Sequence, residues 1–222
     1  MPLPPGPGWV DLLDPALFQK VDARWIRTDA VTLAEGKANR LAAKGVEGGA
    51  VWVNGPAGRI PDLVTKADYA DCDLHVEFLI AKGSNSGVKF HGLYEVQILD
   101  RAAGKKLTGD ATGGIYPRAT AAGGYKHLDE GVPPKVDAAL KPGEWQTLDV
   151  TWQAPRFDAA GQKTSPGVIV RATLNGKVIH ENQEVKTPTG ANWVKPDTAK
   201  GPLLLQADHG PVAFRNVRVR PK

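Results

Sequence analysis

Between Asn85 and Asp100 the chain reads NSGVKFHGLYEVQILD, a strand pattern in which apolar and polar side chains alternate. A strand sends successive side chains to opposite faces, so Val88, Phe90, Tyr94, Val96 and Ile98 fall on one side and Lys89, His91, Glu95 and Gln97 on the other. One face demands a core, and alternation of this kind is satisfied by packed antiparallel sheets. The other face sets an ammonium, an imidazole, an acid and an amide in a row. Glu95 and Gln97 are expected about 6 to 7 Å apart, the scale of one sugar ring. An ordinary solvated sheet face would carry the same residue types.

Strand signals recur along most of the chain. Ala50 to Val53, Leu74 to Ile80, Val88 to Leu99, Gln146 to Trp152, Val168 to Leu174, Lys177 to Glu181, Leu203 to Gln206 and Val212 to Arg220 all read as strands. Asn175-Gly176 marks a two-residue hairpin turn. In the last strand the apolar phase moves from Val212 and Phe214 to Val217 and Val219, an odd step that predicts a bulge near Asn216. The segment from Val31 to Lys44 has helical spacing in Leu33, Ala34, Leu41 and Ala42, with Gly36 against it. The expected architecture is an all-β sandwich, with residues 1–8 a proline- and glycine-rich arm and 9–222 a single domain. A content of 41% hydrophobic residues suffices for a two-sheet core, and 25 Gly and 18 Pro suit its turns. Trp9, Trp25, Trp52, Trp145 and Trp152 are expected to fill that core.

The charge balance, 28 basic against 24 acidic residues, gives only +4. The excess is dispersed apart from Arg215, Arg218, Arg220 and Lys222, which read as outward positions of a last strand, so no nucleic-acid partner is expected. A lone cysteine, Cys72, excludes an intramolecular disulfide and a cysteine-rich metal site. No apolar run reaches membrane-spanning length, so no membrane insertion is expected. The start MPLPPGPGWV has neither a basic n-region nor an apolar h-region.

Two further regions carry chemistry. Residues 101–142 form a long stretch poor in strand signals, with Tyr116, Arg118, His127 and Lys135; a connection of that length is expected to fold over the polar face. In DLHVEF, Asp73 to Phe78, burial of Leu74, Val76 and Phe78 turns His75 and Glu77 the other way, onto a face that could continue that of Glu95 and Gln97. In QADHG, Gln206 to Gly210, Asp208 and His209 stand at a strand end. Neighbours on a strand point to opposite faces, so a bond between these two is not assumed. His75, His127 and His180 read as structural.

These motifs, with GGIYPR at Gly113 to Arg118, PGEWQTLDV at Pro142 to Val150 and GPLLLQADHGPVAFRNVRVRP at Gly201 to Pro221, resemble the bacterial 3-keto-disaccharide hydrolase family. The resemblance spans about Gly8 to Pro221. It implies a concanavalin A-like jelly roll of the kind seen in laminarinase-type enzymes. It also implies a substrate already oxidised to a ketone at C3 by a separate glycoside 3-oxidoreductase, the metabolic partner. The ketone acidifies the C2 hydrogen; a base removes it, the C1 substituent leaves, and water adds back. On this reading Glu77, Glu95 and His209 are the candidate catalytic groups, with His209 or Glu95 as the base. Lys89, Lys135 or a bound divalent cation would hold the enolate, and Gln97, His91, Tyr116, Gln206 and Asp208 would complete substrate binding. Export is common in the family, which favours a periplasmic or secreted protein and leaves the cytoplasm open.

Two other readings compete. A retaining laminarinase-like glycosidase needs two carboxyl groups about 5 to 5.5 Å apart. Here Gln97 interrupts the acid row of Glu95 and Asp100. A carbohydrate-binding module without catalysis would use Tyr116, Tyr125 and Trp193 as its platform. For a metal, Glu77, Glu95, His91, Asp208 and His209 offer suitable donors, without a tight ligand spacing.

Overall fold

The computed structural model describes residues 7–102 and 104–222. Of the expected N-terminal arm, residues 1–6 lie outside the described residues. Two antiparallel sheets pack face to face in a jelly-roll sandwich. The larger runs in the order Lys177–Val185, Gly167–Leu174, Gln146–Gln153, Cys72–Ile80, Val212–Pro221, Val51–Val53, Ile26–Thr28, with Val10–Asp11 also paired to Val212–Pro221. The smaller runs Leu63–Tyr69, Gly201–Leu205, Asn85–Phe90, Tyr94–Leu99. Leu74, Val76, Phe78, Val150 and Trp152 from the first meet Val88, Phe90, Tyr94, Val96 and Ile98 from the second in one core.

The turn chemistry behaves as the sequence predicts at two places. Asn175 and Gly176 both have positive φ, 51° and 77°, the conformation a two-residue hairpin needs to match strand twist. Asn216 has φ 49°, and the register against Cys72–Ile80 shifts between Arg215 and Arg218, which is the bulge. Arg215, Arg218 and Arg220 then stand opposite Glu77, His75 and Asp73 on the outer face of the large sheet.

Three expectations fail. Residues 31–44 form a hairpin, Val31–Ala34 with Lys37–Ala43, in place of a helix. Gly36 at φ 67° makes its turn, and Val31, Leu33, Leu41 and Ala43 alternate onto a small second core. The segment 88–99 is two strands joined by a turn at 91–93, so the alternation is not continuous across it. His91, at φ 56°, swings out of the polar face and into the core. There it is 5% exposed, accepts a bond from Trp152 Nε1 (3.3 Å) and holds Nδ1 3.0 Å from the Thr198 carbonyl. Burial lowers its imidazole's affinity for a proton. Trp9 and Trp145 also leave the inter-sheet core; each lies at the outer face under an arginine, Arg220 and Arg215 respectively, and Trp145 packs there against the small second core.

Trp152 joins the two sheets. It is 1% exposed, stacks on Phe90 across the sandwich at 5.0 Å, and packs so closely on Gly167 that a Cβ there would lie 2.3 Å from its ring. Trp152→Ala is expected to cost about 3 to 5 kcal/mol, because the surrounding sheets cannot collapse into the space. Denaturant unfolding measures it; a loss below about 1 kcal/mol would contradict the packing described.

Candidate functional site

The outer face of the small sheet forms the floor of a cleft of about 410 Å³. Lys89 and Glu95 sit directly opposite each other on adjacent strands, with Nζ 3.3 Å from Oε2. Both are largely withdrawn from water, their side chains 16% and 6% exposed. Glu95 reaches that position by lying over Gly87: a Cβ on Gly87 would fall 2.4 Å from Glu95 Oε1. The glycine therefore makes room for the carboxylate. Burial pushes the Glu95 carboxyl above its ordinary value of 4.5, and the Lys89 ammonium opposes that shift.

One wall comes from the long connection. Gly113 and Gly114 exchange backbone bonds with Gln97, Ile115 bridges Val96, and the Tyr116 amide donates to the Glu95 carbonyl. The segment thus extends the small sheet by one strand-like edge. Ile115 turns into the core with Val96, and Tyr116 turns to the cleft beside Glu95. The Tyr116 hydroxyl lies 3.0 Å from His127 Nε2. Thr189 closes this side, its Oγ1 accepting from the Glu95 amide and donating to the Leu93 carbonyl.

The opposite wall is the end of Gly201–Leu205. Past Leu205 the chain leaves the strand, so Asp208 and His209 escape the alternation rule, and the Asp208 carboxylate accepts from His209 Nδ1. That contact places the ring proton on Nδ1 and leaves Nε2 as the basic atom. Gln206 is 8% exposed, and its side-chain oxygen has no partner among the described residues. Asp62 joins them. Its carboxylate accepts from the Ala207 amide (2.7 Å), and burial raises its pKa with a further push from Asp208.

The cleft thus gathers Glu95, Lys89, Tyr116, Gln206, Asp208 and His209 of the expected residues. It excludes four. Glu77 lies on the large sheet, outside the opposite layer, bonded to Arg215 Nε (2.6 Å) and Asn216 Nδ2 (2.7 Å). Burial alone would raise its carboxyl, but those partners hold it below the usual range. Alternation fixes which way a side chain turns, not which sheet the strand joins. Gln97 is 1% exposed, sealed under the 113–114 edge, with its side-chain oxygen accepting from the Ile98 amide. His91 is in the core, as described. Lys135 is carried to the far edge of the large sheet, where its amide bonds Ile179 and its ammonium stands 3.6 Å from Glu181. Asp62, Asn85 and Asn192 line the cleft unforeseen; only the flanking position of Asn85, next to the alternating run, hinted at this. Among the described residues no three His, Cys, Asp or Glu side chains converge at metal-ligand spacing.

Gly87→Ala tests the placement of Glu95. The added methyl must drive the carboxylate out toward water, so its titration, followed by carboxyl NMR, is expected to fall back toward 4.5. An unchanged titration would contradict the geometry.

The sequence profile of the 3-keto-alpha-glucoside-1,2-lyase-like domain matches residues 9–220. No curated protein matches the chain. Among solved structures, an inferred glycosyl hydrolase from Parabacteroides distasonis ATCC 8503 superimposes with TM-score 0.62 at 22% identity, covering 100% of this chain and 93% of its own. A second from the same organism gives 0.61 at 18% identity, covering 96% and 99%. These likenesses show the shared sandwich. The profile match, over nearly the whole chain, shows more: the protein belongs to the 3-keto-alpha-glucoside-1,2-lyase-like family and is a carbohydrate-active enzyme.

Proposed function

We propose that the protein cleaves glycosides carrying a ketone at C3 by elimination across C1–C2 followed by hydration. The observation that carries this reading is the buried Lys89–Glu95 pair. On the sugar ring C3 and C2 are neighbours, so a cation for the C3 oxygen and a base for the C2 hydrogen must themselves be neighbours. Lys89 and Glu95 are, at 3.3 Å. Burial makes the Glu95 carboxylate a stronger base than an exposed one, and the adjacent ammonium offsets the negative charge that grows on the enolate oxygen. The His209–Asp208 pair is a second acid–base group, and His209 is 58% exposed, open enough to exchange protons with water between elimination and hydration. The unpartnered Gln206 oxygen calls for a donor, which a sugar hydroxyl supplies.

A retaining glycosidase fits less well. Gln97 is sealed away, and Asp100 turns back to accept from the Gly83 amide (2.7 Å), so the acid row along the Tyr94–Leu99 strand is not assembled.

The test compares aryl glucosides of both anomers with the same compounds oxidised at C3, following aglycone release. Release from the oxidised compounds alone is expected; efficient cleavage of the parents would overturn the reading. Glu95→Gln and His209→Ala are each expected to lower turnover about 10² to 10⁴-fold with the fold retained. The pH profile reports on Glu95. A base acts deprotonated, so kcat/KM should rise with pH through the elevated Glu95 pKa. Lys89→Met removes the charge that holds that pKa down, so the acid limb should move to higher pH. A limb that stays in place would assign the base elsewhere.

A further inference from the structure

Beside the cleft runs a second groove, of about 640 Å³, and the two meet at Tyr116 and Thr189, which line both. Its lining sets the apolar Ile115, Val132, Val185 and Pro188 beside the charged Arg118, Asp129, Glu184 and Lys186. Across the small sheet the order is Lys89, then Glu95, then Tyr116, each on the next strand or strand-like edge, at the usual spacing of about 4.8 Å. On the sugar the order of reacting atoms is the C3 oxygen, the C2 hydrogen and the C1 substituent. A ring laid with C3 at Lys89 and C2 at Glu95 therefore points its C1 oxygen at Tyr116 and its aglycone past Tyr116 into the groove.

From this correspondence we propose that Tyr116 is the acid that protonates the departing C1 oxygen, with His127 as its positioning and proton-returning partner and the adjoining groove as the aglycone site. The inference rests on the elimination reading above. The Tyr116 hydroxyl has the required connections. It faces Glu95 across the cleft floor, and its oxygen is 3.0 Å from His127 Nε2, on an exposed ring edge-on to both Tyr116 and Tyr125. With Nε2–H donating to the phenol oxygen, the phenol keeps its own proton, which the Tyr125 hydroxyl accepts until a substrate oxygen takes that place. Burial, and then the Tyr125 hydroxyl, push the phenol's pKa up. A donor of that kind stays protonated until an alkoxide of comparable basicity develops against it.

The step balances. Glu95 takes the C2 proton, and the C–H electrons become the C1=C2 bond as C1–O breaks. The leaving oxygen receives the Tyr116 proton and departs as an alcohol. The phenolate recovers a proton from His127 Nε2 as water protonates Nδ1, and the hydroxide left is neutralised by the proton that Glu95 releases.

Leaving-group dependence tests this, because an alkoxide needs the proton and a nitrophenolate does not. Turnover of methyl and 4-nitrophenyl 3-keto-α-glucoside is measured for the parent protein, Tyr116→Phe and His127→Gln, with thermal unfolding as a control on folding. Tyr116→Phe is expected to slow the methyl compound about 10² to 10⁴-fold and the nitrophenyl compound less than about tenfold. His127→Gln is expected to show the same asymmetry at smaller size. If the parent protein cleaves both compounds and Tyr116→Phe slows them equally or not at all, the assignment of Tyr116 is overturned while the elimination reading stands. A parent protein inert on both compounds overturns the two together.

Discussion

The site depends on one costly arrangement, a carboxylate held almost out of water with a single ammonium against it. Glu95 is 5% exposed, and an isolated charge there would cost several kcal/mol. Lys89 offsets part of that cost without cancelling it, which is why the carboxyl stays above its ordinary pKa. The small sheet is built around this pair. Gly87 leaves the space into which the carboxylate folds, Thr189 satisfies the Glu95 amide, and Tyr116 satisfies its carbonyl. Buried ion pairs rarely contribute net stability, so their presence in a cleft points to chemistry more than to folding.

The two sheets divide the labour. The outer face of the large sheet is given to structure: part of it lies under the 31–43 hairpin, and part carries a ladder of opposite charges, with Arg215 on Glu77 and Arg220 on Asp73. In each pair the carboxylate is largely withdrawn from water and the guanidinium is the more exposed partner. The small sheet turns its outer face to the cleft, and the long connection adds an edge to it. That edge adds a wall and also divides the concave surface into a polar cleft and a second groove of mixed lining, with Tyr116 on the boundary.

Much of the fold was legible because alternation and turn chemistry are local. Val96, Ile98, Phe78, Val150 and Trp152 share the core as their spacing predicts, and Asn175-Gly176 and Asn216 bend where they should. The hairpin at 31–43 gave a divided signal, because Leu33, Ala34, Leu41 and Ala42 satisfy a helical period by coincidence while Gly36 stands against it and makes the turn. Within the site, Lys89, Glu95, Tyr116, Gln206, Asp208 and His209 were identifiable from their strands and strand ends. His91 was not, because a turn broke the phase, and Glu77 was not, because a strand's phase says nothing about which layer it joins. Asp62 came from elsewhere in the chain, and only the three-dimensional convergence with Asp208 and His209 gives it meaning.

The central claim is that bond cleavage begins with loss of the C2 hydrogen to Glu95. It is tested most directly by letting the protein cleave a 3-keto-glucoside in deuterated water and examining C2 of the released keto sugar at early times, under conditions where the free sugar does not itself exchange. Elimination followed by hydration predicts deuterium at C2 of the product and, with substrate deuterated at C2, a primary isotope effect on cleavage. Product that keeps its original hydrogen at C2, formed with no such isotope effect, would mean direct displacement at C1 and would contradict the account.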